Sequence, residues 1–180
     1  MSSSELSPIE WRPTLDTSDP TVAKAARYLA GFVAAAKARK QPGKWLTLSG
    51  KTGTGKTMMA KQAFAEIQPT SLTRAFVRSR DFADEMFSGN WSIARAFERT
   101  EFLVFDDLGA NRDKGGTIAN ALAELAEIRL GRWTLWTTNL TLDLIDDIDP
   151  RIRSRITRDG NRFVRIEAED WELRNRKLAA

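Results

Sequence analysis

The sequence predicts one α/β domain, a parallel sheet with helices on both faces. Three observations predict it. A short apolar run at 45–48 leads into the glycine-rich stretch 50–57, of the form G-x-x-x-x-G-K-T, and an alanine-rich helical pattern follows. Residues 102–105 are four consecutive apolar residues, which asks for a strand buried on both faces. Strand-like and helix-like segments alternate along the chain, so successive strands are joined by crossovers, expected to be right-handed.

At 180 residues the chain is long enough for a sizeable core. It contains no cysteine and no histidine. Disulfides, thiolate metal sites, histidine general bases and the usual catalytic triads are therefore excluded. Catalysis must come from carboxylates, lysine, arginine, hydroxyls or a bound metal. No apolar run reaches the roughly 18 residues of a membrane span. The start, MSSSELSPIEW, lacks the basic and apolar regions of a signal peptide. A cytoplasmic protein without membrane contact is expected.

The net charge is +4, from 28 basic and 24 acidic side chains. Residues 151–180 hold nine basic side chains (Arg151, Arg153, Arg155, Arg158, Arg162, Arg165, Arg174, Arg176 and Lys177) against five acidic ones, so this segment carries the whole excess. Arginine suits phosphate recognition, but a solvated basic face explains the charge equally well.

Residues 1–20, rich in Ser, Pro, Thr and Asp, read as a flexible arm ahead of a domain over 21–180. Leu6, Ile9 and Trp11 stand out in the arm; they either pack on the domain or form a partner-docking motif. Asp19 and Pro20 offer a helix start as N-cap and first helical residue. Val22, Ala25, Ala26, Leu29, Phe32 and Val33 follow at helical spacing, and the helix should fade in the basic run 37–40 before Pro42. The strand and glycine-rich loop come next, then a helix over 56–67 that Pro69 breaks.

Residues 74–79 alternate charged and apolar and read as a strand. Residues 81–87 form a short helix with Ser79 as candidate N-cap. A second short helix over 91–99 turns Ile93, Ala96 and Phe97 inward. Trp91, near Arg74, Arg78 and Arg80 in the chain, is either a core residue or a platform for a nucleobase. After the strand that ends at Asp107, residues 108–116 read as a loop whose Lys114-Gly115-Gly116 suggests mobility. Residues 117–130 form an amphipathic helix with Ile118, Ala121, Leu122, Leu125 and Ile128 on one face, capped by Gly131. Residues 133–138 are a strand and 141–148 a short helix. Asp149 and Pro150 start another over 151–157, placing Arg151 and Arg155 on one face. Residues 162–166 are the last strand, and 169–178 a terminal helix or extended tail.

Strand, glycine-rich loop and helix together make the stretch 50–57 a phosphate-binding loop in its required context. Its glycines let backbone N–H groups close on phosphate oxygens, and the helix start adds a partial positive charge. The nucleotide-contacting set is Gly50, Lys51, Thr52, Gly53, Thr54, Gly55, Lys56, Thr57 and Met58. Lys56 is expected to reach the β- and γ-phosphates of ATP, and the Thr57 hydroxyl to ligate Mg²⁺. Asp106 and Asp107 stand at the carboxyl end of the buried strand, where ligands bind in such sheets. Two adjacent carboxylates there repel unless a cation is near. Asp106 is placed to hold Mg²⁺ and Asp107 to polarise an attacking water. Asn139, just past the strand 133–138, could contact the γ-phosphate, but alone it reads as an ordinary turn residue.

In order, the phosphate loop, the run Phe102-Leu-Val-Phe-Asp-Asp-Leu-Gly-Ala, the run Trp136-Thr-Thr-Asn-Leu-Thr and the run Arg151-Ile-Arg-Ser-Arg-Ile resemble the AAA+ ATPases of the DnaC/DnaI helicase-loader group, with the IstB-like transposition helpers as close relatives. The similarity runs from about Val22 to Arg176. The resemblance implies a P-loop NTPase three-layer sandwich on a five-stranded parallel sheet. The strand 133–138 should lie between the two phosphate-site strands, and no C-terminal lid domain is expected. It implies Asp107 as the catalytic acid residue, where many AAA+ proteins carry Glu. It implies Asn139 as the polar residue called sensor 1. It implies Arg155 as an arginine finger reaching a neighbouring subunit, with Arg151 its rival and Arg153 beside them. The loaders usually carry a separate helicase-gripping N-terminal domain; here only the arm 1–20 precedes the first helix, so it holds a reduced docking motif or the partner differs.

The expected function is Mg²⁺-dependent ATP hydrolysis by a homo-oligomer, helical or ring-like, that loads or remodels a replicative helicase and touches single-stranded DNA. By resemblance such short ATPases are similar to phage-encoded ones, which places the protein in a bacterial or phage-infected cell. Three alternatives stand beside this reading: an IstB-like transposition helper, a nucleotide-gated DNA-binding switch with little turnover, and a small-molecule P-loop kinase.

Overall fold

The structure, a computed structural model, describes residues 17–89, 92–110 and 116–171. The expectations for Leu6, Ile9, Trp11, Trp91, Lys114 and Gly115, for Arg174, Arg176 and Lys177, for the Ile93 side chain and for the tail beyond Trp171 lie outside the described residues.

Five strands form one sheet: β1 (Trp45–Gly50), β2 (Arg74–Arg78), β3 (Phe102–Leu108), β4 (Trp133–Thr138) and β5 (Arg162–Ile166). Their order is β2-β3-β4-β1-β5 and every pairing is parallel. As expected, β4 lies between β1 and β3, the strands that end in the phosphate loop and in the aspartate pair.

Alternate residues of the central strands feed two separate cores, as the pleat requires. On one face Leu46, Leu48, Phe102, Val104 and Leu135 pack under α1 (Pro20–Lys37) and α2 (Lys56–Ile67). On the other, Trp45, Leu103, Phe105 and Trp136 pack under α3 (Ser79–Phe87), α5 (Thr117–Ile128) and α7 (Pro150–Ile156). Trp136 is central to that layer, with ring centroids 5.1 Å from Phe105 and 5.5 Å from Trp45. Two shorter helices, α4 (Ser92–Arg99) and α6 (Leu142–Asp146), complete the described elements, and β5 is the last strand or helix before residue 171. No described helix is long and apolar enough to cross a membrane.

Most helix starts follow their expected signals. Asp19 accepts the N–H groups of Thr21 and Val22, and Asp149 accepts that of Arg151, each ahead of a proline in the first turn. Several details differ, among them the shorter helix Leu142–Asp146 where 141–148 was expected and a strand that reaches Leu108 rather than Asp107. Ser79 is not an N-cap; α3 begins at Ser79, which is buried, and Arg78 occupies the cap position without a side-chain hydrogen bond. The strand β2 therefore stops at Arg78. Ala96 is exposed rather than inward, because Phe97 alone carries that end of α4 into the core. The helix α5 ends at Ile128, with Arg129 as C-cap; Gly131, at φ 74°, supplies the left-handed turn two residues later.

Arg129 is wholly buried. Its guanidinium donates to the carbonyls of Phe97, Thr100, Glu101 and Trp133 and to the Thr134 hydroxyl. It thereby ties the end of α4, the start of β3 and the α5–β4 turn together. Burial, with a smaller contribution from Arg132, pulls its pKa down to about 9, which still leaves it charged at neutral pH.

Candidate nucleotide-binding site

The site is built where β1, β3 and β4 end. β1 delivers a buried Gly50 at the start of the loop. A Cβ at Gly50 would lie 2.5 Å from the Ile166 carbonyl oxygen, so the neighbouring strand β5 admits only glycine there. Gly53 and Gly55 adopt φ of 78° and 89°. Gly55 is the N-cap of α2 and offers no side chain to its first turn, which leaves those N–H groups facing the loop for an anion. Lys51, Thr52 and Thr57 are exposed, Met58 is half-buried, and Thr54 is buried with its hydroxyl donating to the Lys51 carbonyl at 2.9 Å.

Lys56 is buried, unusual for a lysine. Its ammonium sits within the loop and donates to the carbonyls of Gly50 (2.8 Å) and Lys51 (2.7 Å) and to the Thr54 hydroxyl (3.3 Å). Burial lowers its pKa, while the charges of Asp107 and Asp106 work in the opposite direction.

The aspartate pair owes its placement to a bulge. Phe105 pairs with Trp136 and Leu108 with Thr138, so three steps along β3 face two along β4. The extra residue puts Asp107 at φ 66°, a left-handed conformation that aspartate tolerates better than most residues. Asp106 is buried and turned toward the loop, accepting from the Thr57 hydroxyl at 3.1 and 3.2 Å and from the Thr137 hydroxyl at 2.6 Å. Asp107 is half-buried; its N–H donates to the Thr137 hydroxyl at 2.8 Å and its carboxylate accepts from the Asn139 amide at 3.1 Å. Burial raises the pKa of Asp107, the Asp106 charge raises it further, and Lys56 offsets part of the shift.

The structure thus brings Lys56, Thr57, Asp106, Asp107 and Asn139 into one site. Thr137 was not singled out in the sequence, yet its hydroxyl joins both aspartates. The only signal was the polar pair Thr137-Thr138 closing the strand at the end where ligands bind. The arginines of α7 lie elsewhere and are held by their own chain. Arg155 pairs with Glu127 and donates to the Arg151 carbonyl at 2.9 Å. Arg151 forks onto Asp149 and reaches Asn120 at 3.0 Å, and Arg153 lies 3.7 Å from Asp146. Arg165 pairs with Glu167 at 3.4 Å. Much of the basic excess of this segment is therefore answered locally.

No protein-family model matches this sequence, and no curated protein matches it significantly. Solved structures share its fold. A DnaC helicase loader superposes with a TM-score of 0.67 at 22% identity, over 89% of this chain and 100% of that one. Domain III of the Thermotoga maritima replication initiation protein DnaA gives 0.72 at 17% identity, over 95% and 72%. A replication initiator DnaA bound to AMPPCP and single-stranded DNA gives 0.68 at 18% identity, over 88% of this chain but 51% of that one. The present chain thus spans about half the length of that initiator. The fold is that of the P-loop NTPases, in the form taken by the AAA+ core.

Proposed function

We propose that the protein is an AAA+ ATPase of the DnaC/DnaI-like kind that binds and hydrolyses ATP with Mg²⁺ and acts in DNA replication. The observation that carries this reading is the contact between Thr57, the last residue of the phosphate loop, and Asp106, at the end of β3, with Lys56 beside them. Thr57 and Asp106 fit a magnesium site: one hydroxyl and one carboxylate in contact, the hard oxygen donors that Mg²⁺ combines with substrate phosphates and water. When bound, that ion would neutralise charge on the phosphates. The loop N–H groups and Lys56 would take the β- and γ-phosphates, the ammonium giving up a loop carbonyl for a phosphate oxygen. Asp107 would accept the proton of an attacking water, and Asn139, already on Asp107, would orient both.

The larger role rests on the fold and the sequence resemblance. We propose that copies of the chain assemble in a helix or ring in which an arginine of α7 completes the neighbour's site, and that the assembly loads or remodels a replicative helicase on single-stranded DNA. Exposed Arg78 and Arg80 at the start of α3 and exposed Arg158 and Arg162 near β5 support a nucleic-acid contact. Residues 1–20 remain our candidate for the helicase-docking segment. Titration with a fluorescent ATP analogue tests the first step: wild type should bind, and Lys56→Ala should lose most of the affinity. A phosphate-release assay and a pull-down of replication proteins with and without residues 1–20 test the rest. Binding unaffected by Lys56→Ala would sink the assignment.

A further inference from the structure

The chain does not leave the site when β5 ends. Gly50 and Ile166 pair in register, so β5 exits beside the start of the phosphate loop. Ala168 is then buried in the α1–α2 core, and the Glu167 N–H donates to the Thr21 hydroxyl at 3.1 Å. These two anchors direct the following residues across the loop. The Trp171 N–H donates to the Gly53 carbonyl at 2.9 Å. A Cβ at Gly53 would fall on the Asp170 carboxylate. The positive φ of Gly53 favours glycine, and the Asp170 carboxylate occupies the space that a Cβ would take.

A carboxylate pressed onto a loop whose purpose is to surround anions is either held by the loop or in conflict with what the loop binds. Backbone N–H groups and lysines favour the carboxylate for the same reason they favour phosphate. A triphosphate brings several negative charges to the same few ångströms, where repulsion at low effective dielectric is strong. We propose that residues 167–171 form a strap across the phosphate loop, and that Asp170 competes electrostatically with the nucleotide phosphates, so that nucleotide binding and strap release are coupled. This rests on the nucleotide-binding reading of the same loop. The strap makes affinity adjustable: any partner that lifts residues 167–171 tightens nucleotide binding, and by reciprocity nucleotide favours that partner.

The test uses the full chain with Asp170→Asn, which removes the charge at nearly constant shape, and Asp170→Glu, which keeps it. Equilibrium titration with a fluorescent ATP analogue should show Asp170→Asn binding tighter by roughly threefold to tenfold, with Asp170→Glu close to wild type. Hydrogen exchange supplies a second readout: nucleotide should speed exchange of the Trp171 amide in wild type. Equal affinities of wild type and Asp170→Asn, with no change at Trp171, would overturn the strap while leaving nucleotide binding intact. Weaker binding by Asp170→Asn would also overturn it, and would make Asp170 a nucleotide contact. Nucleotide bound by Asp170→Asn but not by wild type would support the strap strongly. No binding by either protein would remove the nucleotide reading itself, and this inference with it.

Discussion

The Thr137 hydroxyl donates to the Asp106 carboxylate at 2.6 Å while accepting the N–H of Asp107 at 2.8 Å. One hydroxyl on β4 thereby holds both acids at the bulge in β3. Its partners are a buried carboxylate and a part-buried backbone donor, so its loss strands the Asp107 N–H and leaves the Asp106 carboxylate to the Thr57 hydroxyl. Thr137→Val should cost about 1–3 kcal/mol in a urea titration and raise the Mg²⁺ concentration needed for hydrolysis. Thr137→Ser should restore most of both, because the hydroxyl is what acts. A valine variant as stable and active as wild type would remove Thr137 from the site.

Asp107 bears opposing demands. At φ 66° it occupies a conformation costing roughly 1–2 kcal/mol for most residues but less for Asn and Asp. Alanine is therefore a poor probe here, and Asp107→Asn is the informative change. It should abolish hydrolysis in a phosphate-release assay and keep ATP binding. It should also raise the melting temperature at neutral pH. The sign follows from the raised pKa: the folded protein holds this proton more readily than the unfolded chain, so the charged form costs stability above the folded-state pKa. That cost fades as pH falls through the folded-state value and is gone below the ordinary aspartate value. The gap in melting temperature between wild type and Asp107→Asn should close over the same window.

The legible parts of this molecule were those with local causes. The phosphate loop, the helix over 56–67 and the strands over 133–138 and 162–166 follow from short-range spacing, and their bounds came out as expected. The four apolar residues 102–105 announced a strand buried on both faces, but nothing local announced the bulge after it, which appears only when β3 is set against β4. Thr137 was invisible for the same reason: its role depends on two acids from a neighbouring strand. Ser79 misled because a serine ahead of a helix is usually a cap, whereas here it is buried inside the helix, which starts two residues before the expected 81. Asp170 sits four residues beyond a strand end, and no spacing rule links it to Gly53.

Arg129 offers a stability test away from the site. Five acceptors meet a guanidinium with no solvent exposure. Methionine would fill much of the volume but leave buried carbonyls unpaired. Arg129→Met should cost about 3 kcal/mol or more, read as a lowered urea midpoint. Lysine, a point donor without the planar fork, should recover only part of this. Nucleotide affinity measured well below the unfolding transition should be unchanged, since these contacts lie at the amino ends of β3 and β4, opposite the phosphate loop.

Arg155 poses the question of how a site could be completed by a second subunit. In the single chain its Nε donates to Glu127 at 2.7 Å, and its side chain is 22% exposed against 57% for Glu127. The exposed Glu127 screens the pair, which is worth about 1 kcal/mol, so it can be exchanged for the stronger attraction of a phosphate. The pair then acts as a rest position for the guanidinium. Glu127→Gln should shift stability by less than about 1 kcal/mol and raise hydrolysis at protein concentrations where assembly limits the rate. Arg155→Ala should retain nucleotide binding and lose about 10²–10³-fold in turnover. Mixing Arg155→Ala with Lys56→Ala should recover part of the activity, because interfaces that set the intact loop of an Arg155→Ala subunit against the intact arginine of a Lys56→Ala subunit are complete. Arg151 is the rival, and the same mixture made with Arg151→Ala separates the two: recovery with Arg151→Ala alone, while Arg155→Ala subunits hydrolyse unaided, would move the role one turn back along α7.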